Sequence, residues 1–270
     1  KNFFMNNPNF VLPKTFFIGQ TELNLVGLTS YLEYTHQEEF LEDISQAKLE
    51  GLSNGEILCS FYAKLCYASL CVGKNKNISK VRSIADNILA TIDSQHGSVF
   101  EHCYLNFVTT DTSRVFTHEL VRHRQGTSFS QTSGRFVRSD VLKLVIDPIL
   151  EPVYQELEDA RIYIQNIYKE MEKKLGLETM TNFDKKKKLT SAMRRILPNG
   201  QANEIGFGLN LRSLRFTIQQ RTARFAEWEI RVIFNQIVSI LTERYPLIFS
   251  DAKFEDIDGQ KEVTFKNHKI

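Results

Sequence analysis

The stretch IGFGLNLRSLRFTIQQRTARFAEWEIRVIFNQIVSILTER, Ile205 to Arg244, decides between architectures. A short extended run, Ile205 to Leu209, passes directly into a helical pattern from Leu211 to Arg221. A second helical pattern runs from Ala226 to Arg244, with Ile230, Ile233, Phe234, Ile237, Ile240 and Leu241 on one face. One strand followed by two helices is not the alternation that builds a doubly wound parallel sheet. No Gly-rich fingerprint for a dinucleotide or P-loop site accompanies it.

Outward from that stretch the chain stays rich in helix. Helices are expected over Gln37–Lys48, Glu56–Cys71, Ile78–Ile92 and Thr112–Val121, with a strand over Tyr104–Val108. Pro148 opens the longest amphipathic pattern, which Gly176 stops, and another helix runs from Asp184 to Leu197 before Pro198 and Gly200. Residues 1–36 read as irregular, with extended pieces at Thr15–Ile18 and Leu23–Val26. The charge block Lys185–Lys188 reads as a solvated first turn of helix. The expected fold class is α+β, a helix-rich single domain over residues 1–270 with a modest, mainly antiparallel sheet.

Composition excludes several classes. The chain has 270 residues, 42% of them hydrophobic and 24% charged, with a mean hydropathy of -0.27. Such a chain is neither disordered nor a membrane bundle. A net charge of +2 supplies no overall field towards nucleic acid or membrane. Cys59, Cys66, Cys71 and Cys103 have no Cys-x-x-Cys spacing, so they read as buried free thiols in a reducing, cytoplasmic setting, without metal. The longest apolar stretch, Ile57 to Val72, is broken by Lys64 and is too short to span a bilayer. The opening KNFFMNNPN has no basic start or cleavage site, so it is not expected to be a secretory signal.

The polar anomaly is Arg122-His123-Arg124-Gln125-Gly126-Thr127-Ser128-Phe129-Ser130-Gln131-Thr132-Ser133-Gly134-Arg135, with Arg138 close behind. Three Arg, one His and many small hydroxyls occur with neither an acid nor a Lys. Planar guanidinium forks suit bidentate contacts to phosphate or carboxylate. Hydroxyls and a Gly-relieved backbone would complete a phosphate cradle. The alternative is a non-catalytic basic loop that touches RNA, with only Phe129 and Phe136 available for stacking.

Arg-His-Arg followed by Ser-Gly-Arg resembles the signature of the flavin-dependent thymidylate synthase family. Further blocks agree in order. His96-Gly-Ser-Val-Phe-Glu-His102 lies upstream, and Arg194-Arg-Ile-Leu-Pro198 lies downstream. Asn210-Leu-Arg-Ser-Leu214, Arg221 and Ala226-Glu-Trp-Glu-Ile230 complete the set. The resemblance, to a divergent member, implies reductive methylation of deoxyuridine monophosphate (dUMP) to thymidine monophosphate (dTMP). It implies FAD as cofactor, NADPH and methylenetetrahydrofolate as co-substrates, and a homotetramer with active sites shared between subunits. A sister reaction on another pyrimidine nucleotide is the alternative within the same fold.

Residue by residue, the resemblance places Arg122, His123, Arg124, Asn210 and Arg212 at the flavin. It places Ser133, Arg135, Arg194 and Arg221 at the nucleotide, together with Glu119, Gln131 and Thr132. It gives Arg221 and His102 catalytic roles, His102 beside folate and flavin. Trp228 reads as a core anchor, and Glu229 as holding a neighbouring Arg. His36, His118 and His268 stand in no constellation. The chain departs from the usual pattern in several places. Eight residues separate Arg124 from Ser133 where seven are usual, and Gly126 is expected to absorb the extra one. Glu119 and Phe225 stand where Gln and His are common. None of the cysteines reads as a nucleophile, in keeping with flavin chemistry.

Overall fold

The computed structural model describes residues 7–137 and 141–268. A four-stranded antiparallel sheet is built from β2 (Lys14–Gln20), β3 (Tyr104–Thr112), β4 (Thr127–Gln131) and β6 (Asn203–Asn210), in the order β2-β3-β6-β4. Phe107 of β3 pairs with Phe207 of β6, and their rings stack 5.7 Å apart. Leu105, Ile205 and Leu209 are buried on the same two strands.

Helix α9 (Trp228–Arg244) lies on this sheet. Its apolar stripe, Ile230, Ile233, Phe234, Ile237, Val238 and Leu241, is fully buried. Each such side chain contributes about 2 kcal/mol of burial. Gln236 on α9 accepts from the Thr15 N–H at 2.7 Å and donates to the Pro13 carbonyl at 2.9 Å. The outer edge at β2 is thereby tied to the helix. Helix α8 (Leu211–Arg221) leaves the end of β6, its N-terminus capped by the Asn210 side chain, which accepts from the Ser213 N–H at 2.8 Å.

The remaining helices are α1 (Leu25–Thr35), α2 (Phe40–Leu49), α3 (Asn54–Cys66), α4 (Ile84–Asp93), α5 (Arg114–Leu120), α6 (Tyr154–Lys174) and α7 (Phe183–Met193). Helix-rich α+β is the observed class. Two short strands, β1 (Phe10–Val11) and β5 (Leu144–Val145), make a small parallel pair. A hairpin, β7 (Ala252–Ile257) and β8 (Gln260–Phe265), closes the described chain.

Several expectations are corrected. Leu23–Val26 is not an extended piece: Asn24 accepts from the Gly27 N–H and starts α1 at Leu25, with Leu28 and Leu32 buried one turn apart. Helix α3 stops at Cys66 rather than running to Cys71, because Ala68 takes a left-handed backbone and the Ser69 N–H closes onto the Lys64 carbonyl. Helix α4 starts after Ser83, whose hydroxyl accepts from the Asp86 N–H, and not at Ile78. The final hairpin had no counterpart in the sequence reading. Cys66 is exposed, while Cys59, Cys71 and Cys103 are buried. Among the described residues no helix is long and apolar enough to cross a membrane.

Candidate active site

The basic motif does not form a loop cradle. Its centre, Thr127–Gln131, is strand β4, paired along β6 from Thr127↔Leu209 to Gln131↔Ile205. The hydroxyls are partly committed to that structure. Thr127 Oγ1 donates to the His123 carbonyl at 2.7 Å, and Ser128 Oγ accepts from the Tyr104 hydroxyl at 2.8 Å. Gly208 makes room for the Tyr104 ring that crosses it; a Cβ there would lie 2.7 Å from Asn106 Oδ1 and would overlap the ring.

Gly126, within the eight-residue spacer, has a φ of +61°, a left-handed conformation. A Cβ there would lie 2.8 Å from Asn210 Cγ. The Gly126 carbonyl accepts from the Asn210 N–H at 3.0 Å. This turn and the cap of α8 are therefore one packed unit.

Helices α5 and α8 place Glu119, His123 and Arg221 together. Arg221 Nη1 donates to Glu119 Oε2 at 2.7 Å, and its Nε donates to His123 Nε2 at 2.7 Å. Since Nε2 accepts, the His123 proton sits on Nδ1, 3.5 Å from Thr217 Oγ1. Burial, then the Arg221 charge, pushes the His123 pKa down to about 4, so the ring is neutral at pH 7. The Glu119 carboxylate pairs with Arg221 and is thereby compensated.

Arg122, His123, Arg124 and Arg212 converge on a cavity of about 500 Å³, which Phe216 and His268 also line. No carboxylate lines it among the described residues. His268 stands in no motif, and no sequence signal could have placed it there. Arg212 also donates to Glu101 at 2.6 Å, which joins the upstream His96–His102 block to α8. His102 is exposed and stacks on Tyr62, with ring centres 3.6 Å apart.

Thr132 and Arg194 lie elsewhere, on a second cavity of about 670 Å³ that shares no lining residue with the first. Gln131, at the end of β4, donates to Thr117 Oγ1 of α5 at 3.3 Å and lies between the two groups. Ser133 turns the chain, its carbonyl accepting from the Phe136 and Val137 N–H groups at 3.0 Å. Arg135 is exposed just beyond it, and Arg138 lies outside the described residues. Among the described residues Glu229 holds no Arg. Fully buried, it accepts from Thr112 Oγ1 and the Ser113 N–H at 2.7 Å each, and from the Ser113 hydroxyl. Ser113 caps α5, so Glu229 sets the start of the helix that carries Glu119. Trp228 is half-buried at the start of α9, and Phe225 is 88% exposed.

Fold and site define an α+β protein with two separate cationic cavities at opposite ends of the β4–β6 pair, suited to more than one anionic ligand. A family model described as "Thymidylate synthase complementing protein" matches residues 49–247. A flavin-dependent thymidylate synthase of Clostridium tetani is 29% identical over 221 residues, covering 78% of this chain and 87% of that protein. One from Corynebacterium diphtheriae is 31% identical over 206 residues, covering 74% and 79%. One from Mycolicibacterium vanbaalenii is 31% identical over 216 residues, covering 77% and 84%. The chain belongs to the flavin-dependent thymidylate synthase family. That membership displaces the reading as a non-catalytic RNA-binding loop.

Proposed function

We propose that this protein synthesises dTMP by flavin-dependent reductive methylation of dUMP, with FAD as cofactor and with methylenetetrahydrofolate and NADPH as co-substrates. The observation that carries the reading is the acid-free cavity of Arg122, Arg124 and Arg212 beside the Glu119–Arg221–His123 network. Three guanidinium groups, of which Arg212 also pairs with Glu101 outside the lining, fit a flavin, whose diphosphate and reduced ring are anionic. When bound, the flavin supplies hydride to the reaction.

The chain's own residues then bind and orient. Arg122 and Arg124 offset ligand charge. Neutral His123 holds the Arg221 side chain in place through Nε2. Arg221, with Glu119 compensating part of its charge, meets the pyrimidine as charge develops on it. Ser133 and Arg135, beyond the strand end that Gln131 and Thr132 position, hold the nucleotide together with Arg194, which follows α7. Asn210 acts through the cap that seats α8, and His102 offers a stacking face to folate. The reading takes residues 1–270 as one domain in a cytoplasmic homotetramer with shared sites and no nucleic-acid partner. The exposed apolar residues Val153, Ile162 and Tyr163 along and just before α6 support the assembly.

Flavin absorbance of the purified chain, and dTMP formation from dUMP, methylenetetrahydrofolate and NADPH, test this directly. Arg221→Ala should cut turnover at least tenfold while flavin content is kept. A folded chain that binds no FAD overturns the reading. Turnover of another pyrimidine nucleotide in place of dUMP would redirect it to the sister reaction.

A further inference from the structure

The last strand runs along α8 towards the cavity of Arg122, Arg124 and Arg212, one helical turn at a time. The Val263 N–H donates to Thr222 Oγ1 at 2.9 Å, and the Phe265 N–H donates to Gln219 Oε1 at 3.1 Å. One turn further along, Arg215 is fully buried. Its Nη2 donates to Asp251 Oδ1 at 2.9 Å, and its guanidinium lies 4.0 Å from the centre of the Phe265 ring. Asp251 in turn holds the tail. Its carbonyl accepts from the Lys266 N–H at 3.1 Å, and its Oδ2 accepts from the Asn267 N–H at 3.0 Å. Two residues of extended chain cover about 6.6 Å and one turn of helix about 5.4 Å, so strand and helix keep step. The next turn of α8 carries Arg212, and the next residue of the tail is His268. Both line the 500 Å³ cavity.

His268 is exposed, and among the described residues its imidazole makes neither a hydrogen bond nor an ion pair. The buried Arg215–Asp251 pair nevertheless fixes the two residues before it, and so fixes where the imidazole stands. The cavity lining is cationic, so a ligand with anionic oxygens fits it, and an imidazole N–H adds one more donor towards those oxygens. We propose that His268 donates a hydrogen bond to a phosphate oxygen of the bound flavin, which makes the C-terminal strand a wall of the cofactor site. This rests on the reading of that cavity as the flavin site. The family match ends at residue 247, so β7, β8 and His268 all lie outside it. The phosphate of dUMP presents the same chemistry. The flavin is favoured because Arg194, read as a nucleotide residue, lines the other cavity.

The test is fluorescence titration of the full apoprotein with FAD and with riboflavin, which has no phosphate, together with calorimetry of dUMP on the FAD-loaded chain. The proteins are wild type, His268→Ala and His268→Gln, each checked for folding by circular dichroism and thermal midpoint. Since His268 is exposed, neither variant should lower the midpoint. His268→Ala should weaken FAD about fivefold or more, the size of one lost hydrogen bond to a charged group at an open cavity. His268→Gln, whose amide still donates, should recover part of that loss. Riboflavin and dUMP affinities should not change. If wild type binds FAD and His268→Ala binds it equally well, the inference is overturned and the flavin reading stands. If His268→Ala weakens FAD and riboflavin equally, the imidazole meets the flavin ring and the proposed phosphate contact is wrong. If it weakens dUMP while FAD affinity is kept, the donor belongs to the nucleotide and the proposal is again wrong. A folded wild type that binds no FAD removes the flavin reading and the inference with it.

Discussion

Gly126→Ala tests whether the turn after Arg124 and the cap of α8 are one unit. Position 126 has φ of +61° and a side-chain direction that runs into Asn210. The left-handed conformation costs an Ala about 1 kcal/mol more than Gly. The new methyl also drives the Asn210 amide from its capping position at the Ser213 N–H, which costs about 1 kcal/mol more. Gly126→Ala should therefore destabilise by about 2 kcal/mol, and Asn210→Ala by about 1 kcal/mol. The double variant should lose no more than Gly126→Ala alone, because the cap can be lost only once. A coupling of about 1 kcal/mol in a double-mutant cycle, read by urea denaturation, is the expected result. Flavin affinity should fall in both single variants, since the start of α8 carries Arg212. Additive losses, or a Gly126→Ala change below about 0.5 kcal/mol, would refute the shared unit.

Two further outcomes follow from buried ionisable groups. Burial, with smaller contributions from the Glu229 and Glu119 charges, raises the pKa of Glu227 to about 7 from 4.5. The folded chain keeps a proton there that the unfolded chain loses, so this group's stabilisation is lost as pH rises from 4.5 through 7. His123, depressed to about 4 from 6.5, works in the opposite direction, its stabilisation being lost as pH falls through that window. Glu227→Gln should therefore unmask a stability that rises with pH between about 4 and 6.5; urea midpoints that parallel the wild type across this range would contradict it. Separately, burial pushes the Cys103 thiol up to about 12 and Cys59 well above its ordinary value. Ala at either position should lower the thermal midpoint by a packing loss of about 1–2 kcal/mol and leave turnover per folded, flavin-loaded chain unchanged. A single Cys variant with normal folding and flavin content but no turnover would show a nucleophile.

Legibility followed the range of the interactions involved. Helices α8 and α9 could be read because apolar periodicity is a local property: both end where expected, at Arg221 and Arg244, with α9 starting at Trp228 rather than Ala226. Helix α1 was missed, its residues being read as irregular and extended chain, and the boundaries of α3 and α4 slipped, because Asn24, Ala68 and Ser83 act through caps and backbone angles that periodicity does not register. Strand β4 was invisible as a strand. In Thr127–Gln131 only Phe129 is apolar, and its extended form comes from pairing with β6, more than seventy residues on.

The sequence by itself determined the helix-rich class, the absence of a doubly wound sheet and the residue types of a site for anionic ligands. It also carried the ordered blocks from His96 to Ile230 that mark the family. The tertiary structure alone decided which of those residues meet. Arg221 reaches His123 across 98 positions and Glu119 across 102, while Arg194 stands on a different cavity. It alone brought His268 to Arg122, and turned Glu229 towards Ser113. The physical reason is that composition and period act over one or two turns of chain. Which charge faces which is set by sheet register and helix packing between segments far apart in sequence.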